Sequence, residues 1–176
     1  TASGSQTDAG SSANVVDDGY VIKDGNGADK TADFTNVTKA EGTLTVNAAP
    51  VTIKTGSGEK EYDGTALTNA EASITGLVEG ENATVTATGS QTEVGSSSNT
   101  YSIDWGTTNK DNYDVSEELG TLTVTENTAA VTLTAPSDEK TYDGTALTCD
   151  GTGEKKVTAS GLPEDFTVEA TASGSP

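Results

Sequence analysis

Apolar residues along this chain come in short alternating runs rather than in helical stripes. Leu44/Val46, Val51/Ile53, Ala83/Val85/Ala87, Tyr101/Ile103/Trp105, Leu122/Val124, Val131/Leu133 and Phe166/Val168/Ala170 each alternate with Thr, Ser or charged residues. A period of two places every second side chain on one face, so each run predicts a strand with one buried side. Threonine, β-branched and polar, suits the solvent side of such strands, and DG, GSG and NG pairs supply turns between them. In the central part of the chain the pattern predicts strands near 51–54, 60–62, 66–68, 72–75, 83–88, 100–105, 113–115 and 120–125. No window has convincing helical periodicity. Short strands with one apolar face each are buried most economically in an antiparallel sandwich of two sheets.

The strands recur because the sequence recurs. EKEYDGTALT, starting at Glu59, returns as EKTYDGTALT from Glu139, and TASGSQTDAGSSAN from Thr1 returns as TATGSQTEVGSSSN from Thr86. TASGS appears again at 171–175, GTLTV stands at 42–46 and 120–124, and a Gly-Leu pair stands at Gly76 and Gly161. The offsets between copies are 85 residues for TASGS and Gly-Leu, 80 for the YDG block and 78 for GTLTV. The unit is therefore about 80–85 residues, enough to bury a core of its own. The expected fold class is all-β, with tandem antiparallel β-sandwich modules of that length. The expected organisation is the second part of a unit at 1–46, a complete unit at 47–127 and the first part of the next at 128–176. The alternative boundary, at TASGS, gives closed modules at 1–85 and 86–170. Because the chain opens and closes inside repeats, it reads as an excerpt from a longer protein.

Composition removes several classes of function. All nine basic residues are lysine, and histidine, arginine and methionine are absent. Without histidine the usual acid–base group near neutral pH is missing, and without arginine so is the bidentate phosphate clamp. A net charge of −19 repels nucleic acid and anionic membranes. The single cysteine, Cys149, excludes a disulfide framework, and Asn69 occupies its place in the preceding copy. Apolar residues are only 31% of the chain, a level also found in disordered chains, but their strict alternation argues for folding.

The order KEYDGTALT, then GLVEGENATVTATGSQTEVGSSSNTYSIDWG, then DNYDVSEELGTLTV resembles the YDG/MBG-type and related Ig-like tandem repeats of large bacterial cell-surface proteins. The resemblance covers essentially the whole chain. It implies Ig-like β-sandwich modules acting as stalk, filament or adhesive segments of extracellular, cell-wall-attached proteins. The first copy departs from the pattern, with Asp33-Phe34 where the second has Asn112-Tyr113.

Against that background each conspicuous motif has a structural reading beside a functional one. Tyr62-Asp63-Gly64 and Tyr142-Asp143-Gly144 read as strand–turn–strand, with glycine at positive φ and aspartate capping the turn, rather than as an aromatic binding surface. The acidic insertion at 15–34 offers Asp17, Asp24, Asn26 and Asp29 as candidate calcium ligands. Its spacing fails the EF-hand pattern, since Ala28 falls at the third ligand position and no glutamate stands twelfth, so an acidic hairpin loop without a cofactor is expected. Lys60 and Lys140, with Asn112 or Asp33, are the residue types of an isopeptide bond, for which sequence supplies no geometry. Carboxylates such as Asp104, Asp111, Asp114 and Glu117 are expected on an acidic surface, and no catalytic role is expected. Tyr20 and Trp105 are the candidate partner-binding aromatics, although Trp105 alternates in phase with Tyr101 and Ile103 as a core residue would.

The expected function is a structural spacer, with an adhesin module that binds a host or microbial protein or glycan as the alternative. The expected partners are neighbouring repeats and other copies of the chain, joined head to tail when the C-terminal part of one completes the N-terminal part of another by strand donation.

Overall fold

A computed structural model describes residues 1–149 and 156–170. The TASGS copy at 171–175 lies outside the described residues. Among them there is no α-helix, and the strands form several small sheets. The first sheet joins β1 (Ala2–Ser3), β2 (Gly10–Val16) and β3 (Gly42–Val46) in antiparallel order. Next in the chain come β4 (Ala49–Thr55), β5 (Gly58–Glu61), β6 (Ala72–Thr75), β7 (Thr84–Ala87), β8 (Gly95–Ser98) and β9 (Tyr101–Asp104). They are followed by β10 (Tyr113–Glu118), β11 (Thr121–Thr125), β12 (Thr132–Thr134) and β13 (Thr158–Ser160).

The chain divides into two compact units that interleave in sequence. One holds Thr1–Gly56, Ala70–Thr88 and Asn99–Gly120, and therefore the β1-β2-β3, β10-β4-β6 and β7-β9 sheets. Its buried apolar residues are Val51, Ile53 and Tyr113. The other holds Ser57–Asn69, Gly89–Ser98 and Thr121–Pro176, with the β5-β11-β8 and β12-β13 sheets. Leu122, Val124 and Val157 are buried there.

Among the described residues two pairings are parallel, which corrects the purely antiparallel expectation. β10 lies parallel to β4 with Tyr113 opposite Ala49, and β11 lies parallel to β5 with Leu122 opposite Gly58, an offset of 64 residues in both. Parallel neighbours need a long crossover, and here the intervening chain carries β6 to β9. Apolar alternation specifies which face of a strand is buried but not the direction of its neighbour, so this topology was not readable from the pattern. Three smaller differences share that character. At 66–68 only Leu67 bridges, to Gln91; 166–170 is not a strand; and β8, of sequence Gly-Ser-Ser-Ser, is one.

The ends of β4 and β10 in the first unit are tied by a buried polar knot. Thr55 Oγ1 donates to the Asn99 carbonyl at 2.7 Å and accepts from Gly120 N at 2.9 Å. Asn99, fully buried, donates from Nδ2 to the Gly56 carbonyl at 2.9 Å and from its backbone N to the Gly120 carbonyl at 2.8 Å. Polar groups removed from water must be partnered, and here strand ends and a side-chain amide partner one another.

Candidate functional site

The YDG turn is built from its own residues. Asp63 Oδ1 accepts from the Thr65 backbone N and hydroxyl, both at 2.8 Å, which closes an Asx-type turn. Lys60 Nζ donates to Asp63 Oδ1 and to Thr65 Oγ1, each at 2.6 Å. Gly64 sits at φ +82°, where a side chain would strain the backbone. The second copy repeats this geometry, with Lys140 2.8 Å from Asp143, Thr145 N 3.0 Å from Asp143 and Gly144 at φ +80°. The Lys60 ammonium, seconded by the Thr65 donors, draws the Asp63 carboxyl down to about 2. Lys140 and Thr145 do the same for Asp143, also to about 2.

What differs between the copies is the tyrosine. Tyr62 meets Phe166 edge-to-face with ring centroids 5.9 Å apart, and a Cβ on Gly64 would stand 2.6 Å from Phe166 Cε2. Tyr142, by contrast, is 91% exposed. The YDG block therefore closes a turn and, at 62–64, also receives an aromatic residue from the following repeat. Sequence reasoning missed this contact because Phe166 has no aromatic counterpart; Glu81 occupies its place in the preceding copy.

A second contact between successive repeats lies in the first unit. Asn112 Oδ1 accepts from Ala9 N at 2.7 Å, and its Nδ2 donates to Asp8 Oδ1 at 2.8 Å. Beside it, Tyr113 stacks on Trp105 at 5.7 Å and accepts from Val78 N at 3.1 Å through its hydroxyl, which also donates to Glu81. That bond to the Glu81 carboxylate pushes the Tyr113 hydroxyl pKa up, with desolvation second. An open cleft of about 300 Å³ runs past Asp8, Val46, Val78, Glu81 and Tyr113. Two carboxylates and no cation make it unsuited to an anion.

The remaining sequence candidates are dispersed. Trp105 is half-buried against Tyr113, and Tyr20 lies under Lys39, whose Nζ is 5.4 Å from the ring centre and pairs with Asp18. Of the proposed calcium ligands, Asp17 accepts from Thr1 and Ser3, and the Ser3 bond leads in lowering its pKa. Asp24 accepts from the backbone N of Asn26 and Ala28 at 2.9 Å, and Asp29 from Thr31 N at 2.9 Å. Each carboxylate thus serves its own local contact, and no cluster of three metal-binding acids, cysteines or histidines exists among the described residues. Asp104 caps Gly106 N, and Glu117 accepts from the Tyr101 hydroxyl at 2.6 Å. Lys60 is engaged by Asp63, Asn112 by Asp8 and Ala9, and Asp33 by Lys30 at 3.6 Å. Cys149 is half-buried.

The turn, glycine and strand positions can be set against known domains. Residues 51–123 match the MBG domain (YGX type). The match begins at Val51 in β4 and ends at Thr123 in β11, so it spans the parallel pairs and the YDG turn. It bears out the YDG/MBG resemblance over these residues and makes the central segment similar to a repeat-type domain. No curated protein and no solved structure matches the chain.

Proposed function

We propose that this chain is a spacer: a structural repeat region of an extracellular bacterial surface protein, in which Ig-like β-sandwich modules of about 80–85 residues follow one another as a stalk or filament segment. The central module spans 47–127, 1–46 is the second part of a preceding module, and 128–176 is the first part of the next. The observation that carries this reading is the pair of repeat-to-repeat contacts. Asp8 and Ala9 hold Asn112, and Phe166 seats on Tyr62 and Gly64. Side chains devoted to the neighbouring repeat are what a spacer needs in order to keep its direction. A net charge of −19 supports the same role, since acidic modules stay soluble and repel one another at a distance.

An adhesin would present exposed anchors, whereas one face of Trp105 is taken by Tyr113 and one face of Tyr20 by Lys39. The carboxylates considered for hydrolysis are dispersed, and no catalytic role is proposed. The test is a screen of residues 1–176 against glycans and host and microbial matrix proteins. Absence of saturable binding is expected. Saturable binding that is lost in Tyr20→Ala or Trp105→Ala would replace the spacer reading with the adhesin one.

A further inference from the structure

Tension on a repeat held at both ends enters the central module at the start of β4 and leaves it at the end of β11, its first and last strands. The parallel pairs lie on that path. Six residue pairs join β4 to β10, from Ala49 opposite Tyr113 to Lys54 opposite Glu118. Four join β5 to β11, from Gly58 opposite Leu122 to Glu61 opposite Thr125. β5 follows β4 through Gly56 and Ser57, and β11 follows β10 through Leu119 and Gly120. A pull toward the N-terminus therefore acts on β4 and β5, and a pull toward the C-terminus on β10 and β11. Because the strands of each pair run in the same direction, the opposed pulls slide one along the other and load every hydrogen bond between them at once. Strands pulled from the same end would instead part rung by rung.

Side chains reinforce both ladders. The Thr52 and Ser116 hydroxyls are 3.0 Å apart, Ser116 Oγ donates to the Val51 carbonyl at 3.0 Å, and Lys54 pairs with Glu118 at 2.7 Å. In the β5–β11 pair, Ser57 Oγ accepts from Thr121 N at 3.0 Å and Thr125 Oγ1 donates to the Lys60 carbonyl at 3.3 Å. Past the last rung, Tyr62 N donates to the Thr125 carbonyl at 2.9 Å and Asn127 Nδ2 to the Tyr62 carbonyl at 2.8 Å. Asn127 Oδ1 accepts from Ala129 N at 2.9 Å, so the joint is fastened where the pull leaves the module. Val51, Ile53, Leu122 and Val124 on the paired strands are at most 1% exposed. Hydrogen bonds beside such residues are strengthened by the low local dielectric.

We propose that the central module is built to carry tension along the chain, with the β4–β10 and β5–β11 ladders taking it in shear. The proposal rests on the spacer reading, because only a segment tethered at both ends is pulled in this way. Keeping two points apart requires no particular strand direction; staying folded under a pull is served by first and last strands that each have a parallel neighbour. Forced unfolding is governed by the unfolding rate and not by equilibrium stability, so such ladders resist a pull even in a repeat of modest stability.

The test is single-molecule stretching of residues 1–176 in two geometries, with handles on pairs of cysteines in a Cys149→Ser background. Asn47→Cys with Ala130→Cys pulls the ladders from opposite ends, and Asn47→Cys with Asp111→Cys pulls β4 and β10 from the same end. All three positions are exposed, and Trp105 fluorescence checks that each variant is folded. At equal loading rate the opposite-end geometry should need at least about twice the force, since bonds loaded together share the pull. Ser57→Ala/Thr125→Val removes the two side-chain bonds of the β5–β11 ladder and should lower the opposite-end force while leaving the same-end force unchanged. Thr88→Val, which removes a hydroxyl contact of 3.2 Å to Thr100 beside the β7–β9 pair, should leave both unchanged. Equal forces in the two geometries overturn the proposal, as does a Ser57→Ala/Thr125→Val variant that lowers both forces alike or neither. The ligand screen is independent of these results. Saturable binding there would replace the spacer reading while the force ratio stood, and equal forces would remove the shear ladders without making the chain an adhesin.

Discussion

Ile53 and Leu133 occupy the same place in successive repeats, with the same register to the next strand, but one is 0% exposed and the other 56%. Truncating both to alanine therefore separates sequence from packing. Ile53→Ala removes methyl groups from a closed site, and such truncations cost about 2–5 kcal/mol through lost transfer energy and the cavity left behind. Leu133→Ala removes atoms that already meet water over half their surface, so its cost should stay below about 1 kcal/mol. For a chain of this length 1 kcal/mol moves the melting temperature by about 2–4 °C, which predicts a fall of roughly 4–20 °C for Ile53→Ala and a few degrees at most for Leu133→Ala. The single tryptophan, Trp105, lies in the same compact unit as Ile53 and stacks on buried Tyr113, so its fluorescence reports that unit's transition, while Leu133 lies in the other unit and calorimetry of the whole chain reads its effect. Equal losses for the two variants, or less than about 1 kcal/mol for Ile53→Ala, would refute the assignment of the core to the central repeat.

Gly76 sits at φ +100° with the Pro50 carbonyl oxygen 2.5 Å from where a Cβ would be, so Gly76→Ala should cost about 1–3 kcal/mol in urea unfolding and disturb the start of β4. Asn112→Asp removes the amide donor to Asp8 and sets a second carboxylate against it; a loss of about 1 kcal/mol that shrinks with added salt is expected in thermal melts at low ionic strength. Asp63 and Asp143 have folded-state pKa values near 2, below the ordinary 3.8. The contribution of the turns is therefore fully present above about pH 4 and is lost as pH falls through about 2, a window that carboxyl NMR titration reads directly, with Asp63→Asn abolishing the midpoint at its site.

Much of the strand pattern was legible because alternation reports burial of a face. The runs Val51/Ile53, Tyr101/Ile103 and Leu122/Val124 fall in β4, β9 and β11. β8 was not legible, since Gly95-Ser-Ser-Ser98 has no apolar residue to alternate and is recruited by backbone pairing with β11. The parallel neighbours were equally hidden, because a 64-residue offset leaves no local turn signal. The YDG turn could be read residue by residue because its bonds are local, running between Lys60, Asp63 and Thr65. Asn99 could not: a polar residue in a Ser-rich stretch looks exposed, and only its position at the end of β8, facing Thr55 and Gly56, makes it a core residue. A trace existed, in that Asn14 holds the same place in the repeated TASGS block.

The contrast between turn and strand says how such a repeat is assembled. The Lys-Asp-Gly-Thr turn forms alike at 60–65 and at 140–145, with or without a strand beside it, so it is a local element that needs no partner. The strands behave oppositely: β4 has seven residues, but its counterpart β12 has three, and the counterparts of β5 and β10 are not strands at all. Pairing across 64 residues is therefore the step that turns these marginal sequences into a core, and closing so long a loop is slow compared with hairpin formation. During that interval β4 can meet the β10 segment of another repeat instead of its own, for both are short acceptor segments of the same kind. Neighbouring repeats of near-identical sequence invite this exchange. Differences between copies then acquire a purpose. An aspartate at 33 where the next copy has Asn112 cannot donate to Asp8, so contacts between repeats favour one pairing of segments over its rival even though the strands themselves are alike.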